Sequence, residues 1–195
     1  MTKRTFDLII ILIIFPFIFL IFLFISFIIF IFDGTPIIFK QSRSGYKGAT
    51  FKIYKFKTMM TDNGKNLTDN ERVTKLGKFL RKTSIDEIPN IYNVIVGNLS
   101  LVGPRPLLPE YLELYDKVQK KRLDVKPGIT GWAQINGRNG ISWEEKFNLD
   151  VWYVKNNTLL LDIKIIFKTI LKVLSQDGIS SSDEFSMPKF KGSKK

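Results

Sequence analysis

Two adjacent carboxylates are the clearest candidates for chemistry in this chain. Asp86 and Glu87 lie in the stretch TSIDEIPN (83–90), directly after the basic pair Arg81 and Lys82. The chain contains no histidine and no cysteine, which excludes Ser-His-Asp and Cys-His catalysis, thiol redox chemistry and zinc sites built from nitrogen and sulfur. Any metal site must use oxygen ligands, which favours Mg²⁺, Mn²⁺ or Ca²⁺.

A purely structural role accounts for this acid pair. Ser84 and Glu87 have the spacing of a capping box, which predicts a helix that begins at Ser84. Pro89 would cost that helix one hydrogen bond, so a start at Asp86 is the alternative. Either start places both acids in the first turn, where the helix dipole favours their ionised form. On this interpretation Glu87 caps the helix and Asp86 balances the dipole.

A catalytic role for the same pair requires partners from elsewhere in the chain. An ionised Asp86 can attack phosphorus once a metal and cations neutralise the phosphate charge, and Glu87 offers a ligand for Mg²⁺. Arg105, which lies between two prolines, and Arg138 could each bind phosphate oxygens through two parallel hydrogen bonds. Spacing alone leaves open whether these side chains meet in the folded protein.

The chain is strongly basic, with 30 Lys and Arg against 18 Asp and Glu and a net charge of +12. Such an excess suits a polyanionic partner: nucleic acid, anionic lipid head groups or a phosphorylated substrate. The stretches PIIFKQ and TFKIYKFKTM predict β-strands around a turn at 45–48. In the second of them Lys52, Lys55 and Lys57 alternate with apolar residues, as expected either for a basic strand edge on lipid head groups or for phosphate binding.

The N-terminal segment has the composition of a membrane helix. An uncharged run, mostly Ile, Leu and Phe, extends from Leu8 to Phe32, and a helix of that length is roughly 37 Å long, enough to cross a bilayer. Pro16 removes one helical hydrogen bond and predicts a kink. Basic residues flank both ends of the run, so the positive-inside rule does not separate a kinked spanning helix from a hairpin that returns to the same leaflet. The residues alone place the spanning helix first.

The remaining segments predict helices joined by loops. Residues 61–74 are polar and predict a loop, VTKLGKFLRK and IPNIYNVIVG are helical in pattern, and the glycine-rich VKPGITGWAQINGRNGISW predicts a mostly irregular, functional loop. The tail from Gln176 is polar and is predicted to be disordered. Before it comes an amphipathic helix that either packs on the core or lies in the membrane interface; its apolar stripe is Ile163, Ile166, Phe167, Ile170, Leu171 and Leu174.

Several stretches, taken in order, carry a resemblance to a known family: KRTFDLI, KIYKFKTM, LRKTSIDEIPNIYNVIVGNLSLVGPRP, VKPGITGWAQINGRN and LLLDIKII. From residue 3 to about residue 175 the chain resembles the bacterial sugar transferases called monotopic phosphoglycosyl transferases. The resemblance implies a membrane enzyme that transfers a sugar 1-phosphate from a UDP-sugar to a polyprenyl phosphate (undecaprenyl phosphate), with release of UMP. That reaction is the first membrane step in the assembly of a glycoconjugate.

The same resemblance implies roles for individual residues. Asp86 would be the nucleophile that forms a covalent phosphosugar intermediate, and Glu87 would help to bind Mg²⁺. The family's basic active-site residues fall on Lys55 and Arg81, with Arg105 in the Pro-Arg-Pro motif. Two further substrate-binding candidates are Arg138, on the nucleotide side, and Asp162, whose role the resemblance leaves open.

The fold implied by the resemblance is α/β: a compact, mostly helical membrane-associated domain with a short β-hairpin or sheet and an N-terminal re-entrant membrane helix. The expected boundaries are 1–33 for that helix, 34–175 for the catalytic domain and 176–195 for the tail. The active site would face the cytoplasm at the bacterial inner (cytoplasmic) membrane. Close family members have Ser-Pro at the helix break, whereas this chain has Phe15-Pro16 and lacks the hydroxyl that could bond a freed carbonyl.

Two other classes of protein share some of these features. One is a membrane-anchored scaffold in which the acid pair only caps a helix, and the other is a membrane-tethered nucleic-acid binder that uses the lysines and aromatics of 51–57. Neither accounts for the glycine-rich segment or the Pro-Arg-Pro motif. We therefore expect a UDP-sugar, a polyprenyl phosphate and membrane lipids as partners and no nucleic acid, with the sugar and the oligomeric state left open.

Overall fold

The computed structural model describes residues 1–60, 68–137, 140–175 and 188–192 of the chain. The described part is mostly helical with two small sheets, as the sequence predicts. The α-helices are α1 (Lys3–Phe32), α2 (Asp69–Arg72), α3 (Lys75–Lys82), α4 (Ile91–Val96), α5 (Trp132–Asn136), α6 (Trp143–Asn156) and α7 (Leu159–Ser175). The strands are β1 (Ile38–Ser44), β2 (Thr50–Phe56), β3 (Ser100–Val102) and β4 (Gly128–Thr130), and 3₁₀ helices cover Tyr46–Gly48, Ile85–Asn90, Pro109–Leu114 and Gln119–Asp124.

The predicted β-hairpin is present and its register matters for the site. Strands β1 and β2 pair antiparallel, with Arg43 opposite Phe51 and Phe39 opposite Lys55. Side chains alternate between the two faces of a strand and directly opposed residues share a face. Arg43 therefore stands on the same face of the hairpin as Ile53 and Lys55. Strand β2 packs against the 3₁₀ helix Ile85–Asn90, which carries the acid pair, and Lys55 contacts that pair.

The glycine-rich segment is more regular than predicted. Strand β4 pairs parallel to β3, and α5 follows directly after it. A Cβ added at Gly128 would lie 2.1 Å from the backbone nitrogen of Gly103, and one at Gly103 would lie 2.3 Å from the Lys126 carbonyl oxygen. These glycines thus allow two backbone segments to approach closely. Glycine content alone does not distinguish such close packing from an irregular loop. Likewise α2 falls within the loop predicted at 61–74, of which 61–67 lie outside the described residues.

Helix α1 is long and apolar enough to cross a membrane, and Pro16 lies inside it. Both of its ends contact the same domain. Near the start, Ile11 packs with Val94 and Leu99, and near the end Ile25 and Ile29 pack with Phe56 and Leu80. Between these contacts the large side chains are exposed, among them Leu12, Ile13, Phe17, Leu20, Leu23 and Phe24.

Polar contacts fix both ends of α1 as well. Arg4 donates hydrogen bonds to the carbonyls of Val94 and, at 2.6 Å, Ile95 in the last turn of α4. At the other end, Lys57 Nζ donates to the Asp33 carbonyl at 2.7 Å, so this lysine, which directly follows β2, is engaged within the protein. The two ends of the apolar helix are therefore tied to one body.

Helix α7 buries a narrower stripe than its sequence pattern predicts. Asp162 and Ile165 are buried, and Ile165 packs with Val102, Ile135 and Tyr153. Most of the predicted apolar stripe is exposed, namely Ile163, Phe167, Ile170, Leu171 and Leu174. The core-packing interpretation of that stripe is thus wrong for these residues, because the helix turns a neighbouring face toward β3 and α5.

The end of the chain differs from the predicted disordered tail in the part that the structure describes. Phe190 is buried in an aromatic cluster, with its ring centre 5.0 Å from that of Phe147 and 5.7 Å from that of Tyr111. Trp143 Nε1 donates a hydrogen bond to the Pro188 carbonyl at 2.9 Å. Residues 188–192 therefore pack against the domain, whereas 176–187 and 193–195 lie outside the described residues.

Candidate active site

The acid pair sits in a sharp turn and does not form the predicted capping box. Ser84 adopts a left-handed backbone conformation (φ 57°) between α3 and the 3₁₀ helix Ile85–Asn90, and its side chain makes no capping hydrogen bond. The Glu87 side chain reaches away from the helix start toward two cations. The capping prediction is wrong because charge-assisted contacts from other elements claim the carboxylate that would have closed the box.

Lys55 on β2 contacts both carboxylates. Its Nζ lies 2.7 Å from Glu87 Oε1 and 3.3 Å from Asp86 Oδ2. All three side chains are largely buried, Asp86 the most. This contact links the hairpin to the acid pair and is the geometry that a binding or catalytic role for Lys55 requires.

Two buried asparagines hold the 3₁₀ helix and α4 against β2. Asn90 Oδ1 accepts a hydrogen bond from the Tyr54 backbone nitrogen at 2.9 Å, and Asn93 Nδ2 donates to the Lys52 carbonyl at 2.9 Å. Asn93 Nδ2 also donates to Asn90 Oδ1 at 3.2 Å. Because β2 is the strand that carries Lys55, these bonds set the distance between the lysine and the acid pair, Asp86 and Glu87, which we call the dyad. The sequence gives little sign of this, since two polar residues in IPNIYNVIVG look like surface positions.

Arg105 completes the cluster from the Pro-Arg-Pro motif. Its Nη2 lies 2.7 Å from Glu87 Oε1, and its carbonyl accepts a hydrogen bond from Arg122 Nη2 at 2.7 Å. Arg122 is in turn paired with Asp150 through two bonds, at 2.8 and 3.1 Å, and both side chains are buried. The pair anchors the backbone that presents Arg105. Sequence reasoning missed it, because the partners are 28 residues apart and nothing in their spacing signals a contact.

Burial and the cations shift the two carboxyl pKa values in opposite directions. Burial raises the pKa of Asp86, aided by the charge of Glu87 and opposed by Lys55 and Arg105. Burial also acts to raise the pKa of Glu87, but Arg105 and Lys55 outweigh it and hold that pKa well below its usual range. Glu87 is thus a fixed anion, whereas Asp86 is the more basic carboxylate of the two.

The other predicted site residues do not all lie near the dyad. Arg81, at the end of α3, donates a hydrogen bond from Nε to Thr58 Oγ1 at 3.0 Å, beside the end of β2. Arg138 lies outside the described residues. Asp162 joins a different cluster, in which it pairs with Lys3 and accepts a hydrogen bond from the Tyr153 hydroxyl at 2.6 Å. Its contacts tie the start of α1 to α6 and α7 and do not include the dyad.

The donor atoms at the dyad fit a hard divalent cation that shares its shell with a substrate. Lys55 and Arg105 both bond to the same carboxylate oxygen, Oε1 of Glu87. The described part of the chain holds no group of three or more acidic side chains that could form a cage. Mg²⁺ is commonly held by one or two carboxylates together with substrate phosphates and waters. Glu87 would hold such an ion, which supplies charge neutralisation to a bound phosphate.

A cleft opens beside the dyad. Lys55, Glu87, Asn90 and Arg105 line it together with Arg43, Ile53, Leu99, Pro106, Gly128 and Ile129. Arg43 also lines the cleft, although none of the sequence motifs points to it. The hairpin register reveals its position, because it puts Arg43 on the same face as Lys55. The arrangement brings Glu87 and three cations to one cleft, with Asp86 beside it in contact with Lys55, and such a set of groups is suited to binding and transferring a phosphoryl group.

The chain belongs to the family described as bacterial sugar transferase, whose sequence model matches residues 1–176. Among similar proteins, the uncharacterized sugar transferase EpsL of Bacillus subtilis (strain 168) is 54% identical over 163 residues, which cover 82% of this chain and 81% of that protein.

Two enzymes with more specific names are also similar. The undecaprenyl-phosphate galactose phosphotransferase of Salmonella typhimurium (strain LT2) is 39% identical over 166 residues, covering 75% of this chain and 35% of the enzyme. The UDP-glucose:undecaprenyl-phosphate glucose-1-phosphate transferase of Escherichia coli (strain K12) is 42% identical over 150 residues, covering 70% and 32%. The chain thus corresponds to about a third of each of these two proteins and to most of EpsL.

Proposed function

We propose that this protein transfers a sugar 1-phosphate from a UDP-sugar to a polyprenyl phosphate and releases UMP. The observation that carries the proposal is the cluster of Asp86, Glu87, Lys55 and Arg105 at one cleft. The names of two similar enzymes point to the same class of acceptor, undecaprenyl phosphate, and one of them names a UDP-sugar as donor. The histidine-free sequence is consistent with a carboxylate as the reacting group.

In the first step an Asp86 carboxylate oxygen attacks the phosphorus that bears the sugar. A new oxygen–phosphorus bond forms, the phosphoanhydride bond breaks, and UMP leaves with the electron pair of that bond. The product is an acyl phosphate between Asp86 and the sugar phosphate. Lys55 favours the ionised form of the attacking carboxylate, and the cations at positions 55 and 105 face the negative charge of the transferred phosphate.

In the second step a phosphate oxygen of the polyprenyl phosphate attacks the same phosphorus. The bond to Asp86 breaks, the carboxylate is regenerated, and the lipid carries a sugar diphosphate. No proton transfer by histidine is needed, since a carboxylate attacks in the first step and a phosphate oxygen attacks in the second.

The way α1 is attached supports a re-entrant helix and not a spanning one. Arg4 and Asp33, near its two ends, bond to the same domain, while most of the apolar residues between Ile11 and Ile25 are exposed. A straight helix that crossed the bilayer would place its ends on opposite sides of a core about 30 Å thick. Both ends therefore lie on the side of the catalytic domain, which we assign to the cytoplasm of the inner membrane.

The exposed apolar stripe of α7 is then suited to the membrane interface. It would hold the dyad near the level at which the acceptor phosphate lies, while the nucleotide donor reaches the cleft from water. Membrane lipid is thus a partner of both helices.

A screen for UMP release tests the proposed function. Purified full-length protein in detergent is incubated with a panel of UDP-sugars, polyprenyl phosphate and Mg²⁺. We expect UMP from at least one donor, in an amount that depends on the lipid acceptor. A scaffold or a nucleic-acid binder would release none, and filter binding to single-stranded RNA at physiological salt separates the second of these.

A further inference from the structure

Arg43 occupies a position in the cleft to which no role is assigned by the sequence motifs. It lies on β1, on the face of the hairpin that also presents Lys55, and it lines the cleft together with Lys55, Glu87 and Arg105. Because Arg43 is far from the acid pair along the chain, the sequence does not show that the two lie close together. The fold therefore adds a third cation to the two that already contact Glu87.

The guanidinium of Arg43 is only partly satisfied by the protein. Its Nη2 donates to Gln41 Oε1 at 2.6 Å, and its Nη1 makes a long bond of 3.4 Å to the Pro106 carbonyl. Its Nε is buried, with no hydrogen-bond partner among the described residues. Leaving a buried donor unpaired is unfavourable, so a group that retains one is suited to an acceptor that arrives with a ligand.

The charges around Arg43 also call for an anion. Burial, with a further contribution from the positive charge of Arg105, lowers the pKa of Arg43 to about 10, and Glu87 only partly opposes the shift. Glu87 is already shared by Lys55 and Arg105. A phosphate placed in the cleft would face all three cations and relieve their mutual repulsion.

We propose that Arg43 is a phosphate-binding residue of this site, which donates hydrogen bonds to a phosphate oxygen of a substrate. This inference rests on the proposed function and extends it by one named contact. The same chemistry could serve the diphosphate of the UDP-sugar or the phosphate of the polyprenyl acceptor. Guanidinium groups suit either, because their planar set of donors matches phosphate oxygens.

The test follows the two half-reactions separately in Arg43→Gln and Arg43→Lys. The first half-reaction is UMP release from UDP-sugar without lipid, measured in a rapid quench over a range of donor concentrations. The second is the loss of the sugar from preloaded protein when polyprenyl phosphate is added. Gln41→Ala is the matched control, because it removes the partner of Arg43 Nη2 and leaves the guanidinium in place.

We expect Arg43→Gln to raise the concentration needed for half-maximal rate by about 10-fold or more, the usual effect of losing a charged hydrogen bond. A change for the donor assigns the contact to the diphosphate, and a change for the lipid assigns it to the acceptor. Arg43→Lys, which keeps the charge but loses the planar set of donors, should fall between wild type and Arg43→Gln. If Arg43→Gln does not fold, Arg43→Lys carries the test through the same two measurements.

Two results would overturn the inference. One is wild-type concentration dependence in both half-reactions of the Arg43 variants. The other is an equal defect in Gln41→Ala, which would mean that the bond between Arg43 and Gln41, and not a phosphate contact, accounts for the loss. Wild-type protein that releases no UMP from any UDP-sugar would overturn the proposed function itself, and this inference with it.

Discussion

At the dyad, one lysine and one arginine divide two neighbouring carboxyl groups into different roles. Glu87 accepts from both Lys55 and Arg105, and they keep its pKa low despite burial. Asp86 is buried with a weaker contact to Lys55, so its pKa rises. The more basic carboxylate is the better nucleophile in its ionised form, and the carboxylate with the lower pKa is the better ligand for a cation.

This division makes the rate of the first half-reaction depend on Lys55. Asp86 attacks only when ionised, so kcat/KM should fall as the pH drops through its raised pKa. Lys55→Gln removes a charge that lowers this pKa, so the fall should move to higher pH, with a loss of rate at every pH. The measurement is the pH profile of UMP release without lipid, fitted for its acid limb.

Lys52→Gln is the control for that profile. Lys52 is exposed and stands on the opposite face of β2 from Lys55, so its removal should leave the acid limb unmoved. Acid limbs that coincide in wild type and Lys55→Gln would mean that Asp86 is not the group whose ionisation controls the rate.

A second prediction at the scale of single residues concerns the metal requirement of the activity. With oxygen donors only, activity should need a hard divalent cation. EDTA should abolish UMP release, and excess Mg²⁺ should restore it. Glu87→Gln should raise the Mg²⁺ concentration needed for half-maximal activity, whereas full turnover in chelator would refute the assignment of Glu87 as a metal ligand.

Single residues were only partly predictable from the sequence. The dyad stands out because its neighbours in the chain are cations and because the chain lacks histidine and cysteine. Asn90, Asn93 and the Arg122–Asp150 pair do not stand out, because their roles arise from contacts between separate elements. Arg43 becomes visible only when the hairpin register puts it on the face of Lys55.

At the scale of elements, the local sequence pattern predicts the secondary structure correctly where one periodicity of apolar residues dominates a segment. The alternation in β1 and β2 and the short helix α3 follow directly from their residues. The 3₁₀ helix Ile85–Asn90 begins directly after Ser84 and has both acids in its first turn, as predicted, but the predicted capping box is absent. Glu87 instead bonds to Lys55 of β2 and to Arg105 of the Pro-Arg-Pro segment. Strand β4 was missed because its pairing with β3 spans the chain from 100 to 130.

The packed end of the chain gives a prediction at this scale. Phe190 contacts the rings of Tyr111, Tyr115, Trp143 and Phe147. Phe190→Ala should lower the free energy of unfolding by about 3–5 kcal/mol, the usual cost of truncating a buried phenylalanine. Denaturant unfolding of the detergent-solubilised protein measures the change.

The neighbouring Lys189 supplies the control. Lys189 is exposed, so Lys189→Ala should unfold close to wild type. Equal stabilities of Phe190→Ala and Lys189→Ala would show that this segment does not contribute to the packed domain in solution.

At the scale of the whole molecule, the net charge and the exposed apolar surface are both suited to a membrane. A net charge of +12 favours anionic lipid and phosphate substrates, while the exposed residues of α1 and α7 provide the apolar surface that a bilayer covers. The sequence left spanning and re-entrant helices open, since charges flank both ends of α1. Contacts such as those of Arg4 with α4 decide in favour of re-entry in our proposal, and they connect residues about 90 positions apart.

Topology is directly measurable, because no native cysteine interferes. Thr2→Cys and Ser42→Cys place single thiols before and after α1. Both should resist a membrane-impermeant thiol reagent in intact cells and react after permeabilisation, because both lie on the cytoplasmic side. Labelling of position 2 but not of position 42 in intact cells would restore the spanning helix.

The covalent intermediate on Asp86 is the central claim, and intact-protein mass spectrometry tests it most directly. Protein is mixed with a UDP-sugar and Mg²⁺ without lipid and quenched rapidly, because acyl phosphates hydrolyse readily. Asp86→Asn keeps the size of the side chain but lacks the anion. We predict a phosphosugar mass on wild type that polyprenyl phosphate removes, and neither adduct nor appreciable turnover in Asp86→Asn. An adduct that persists in Asp86→Asn, or turnover by that variant near wild type, would contradict the account.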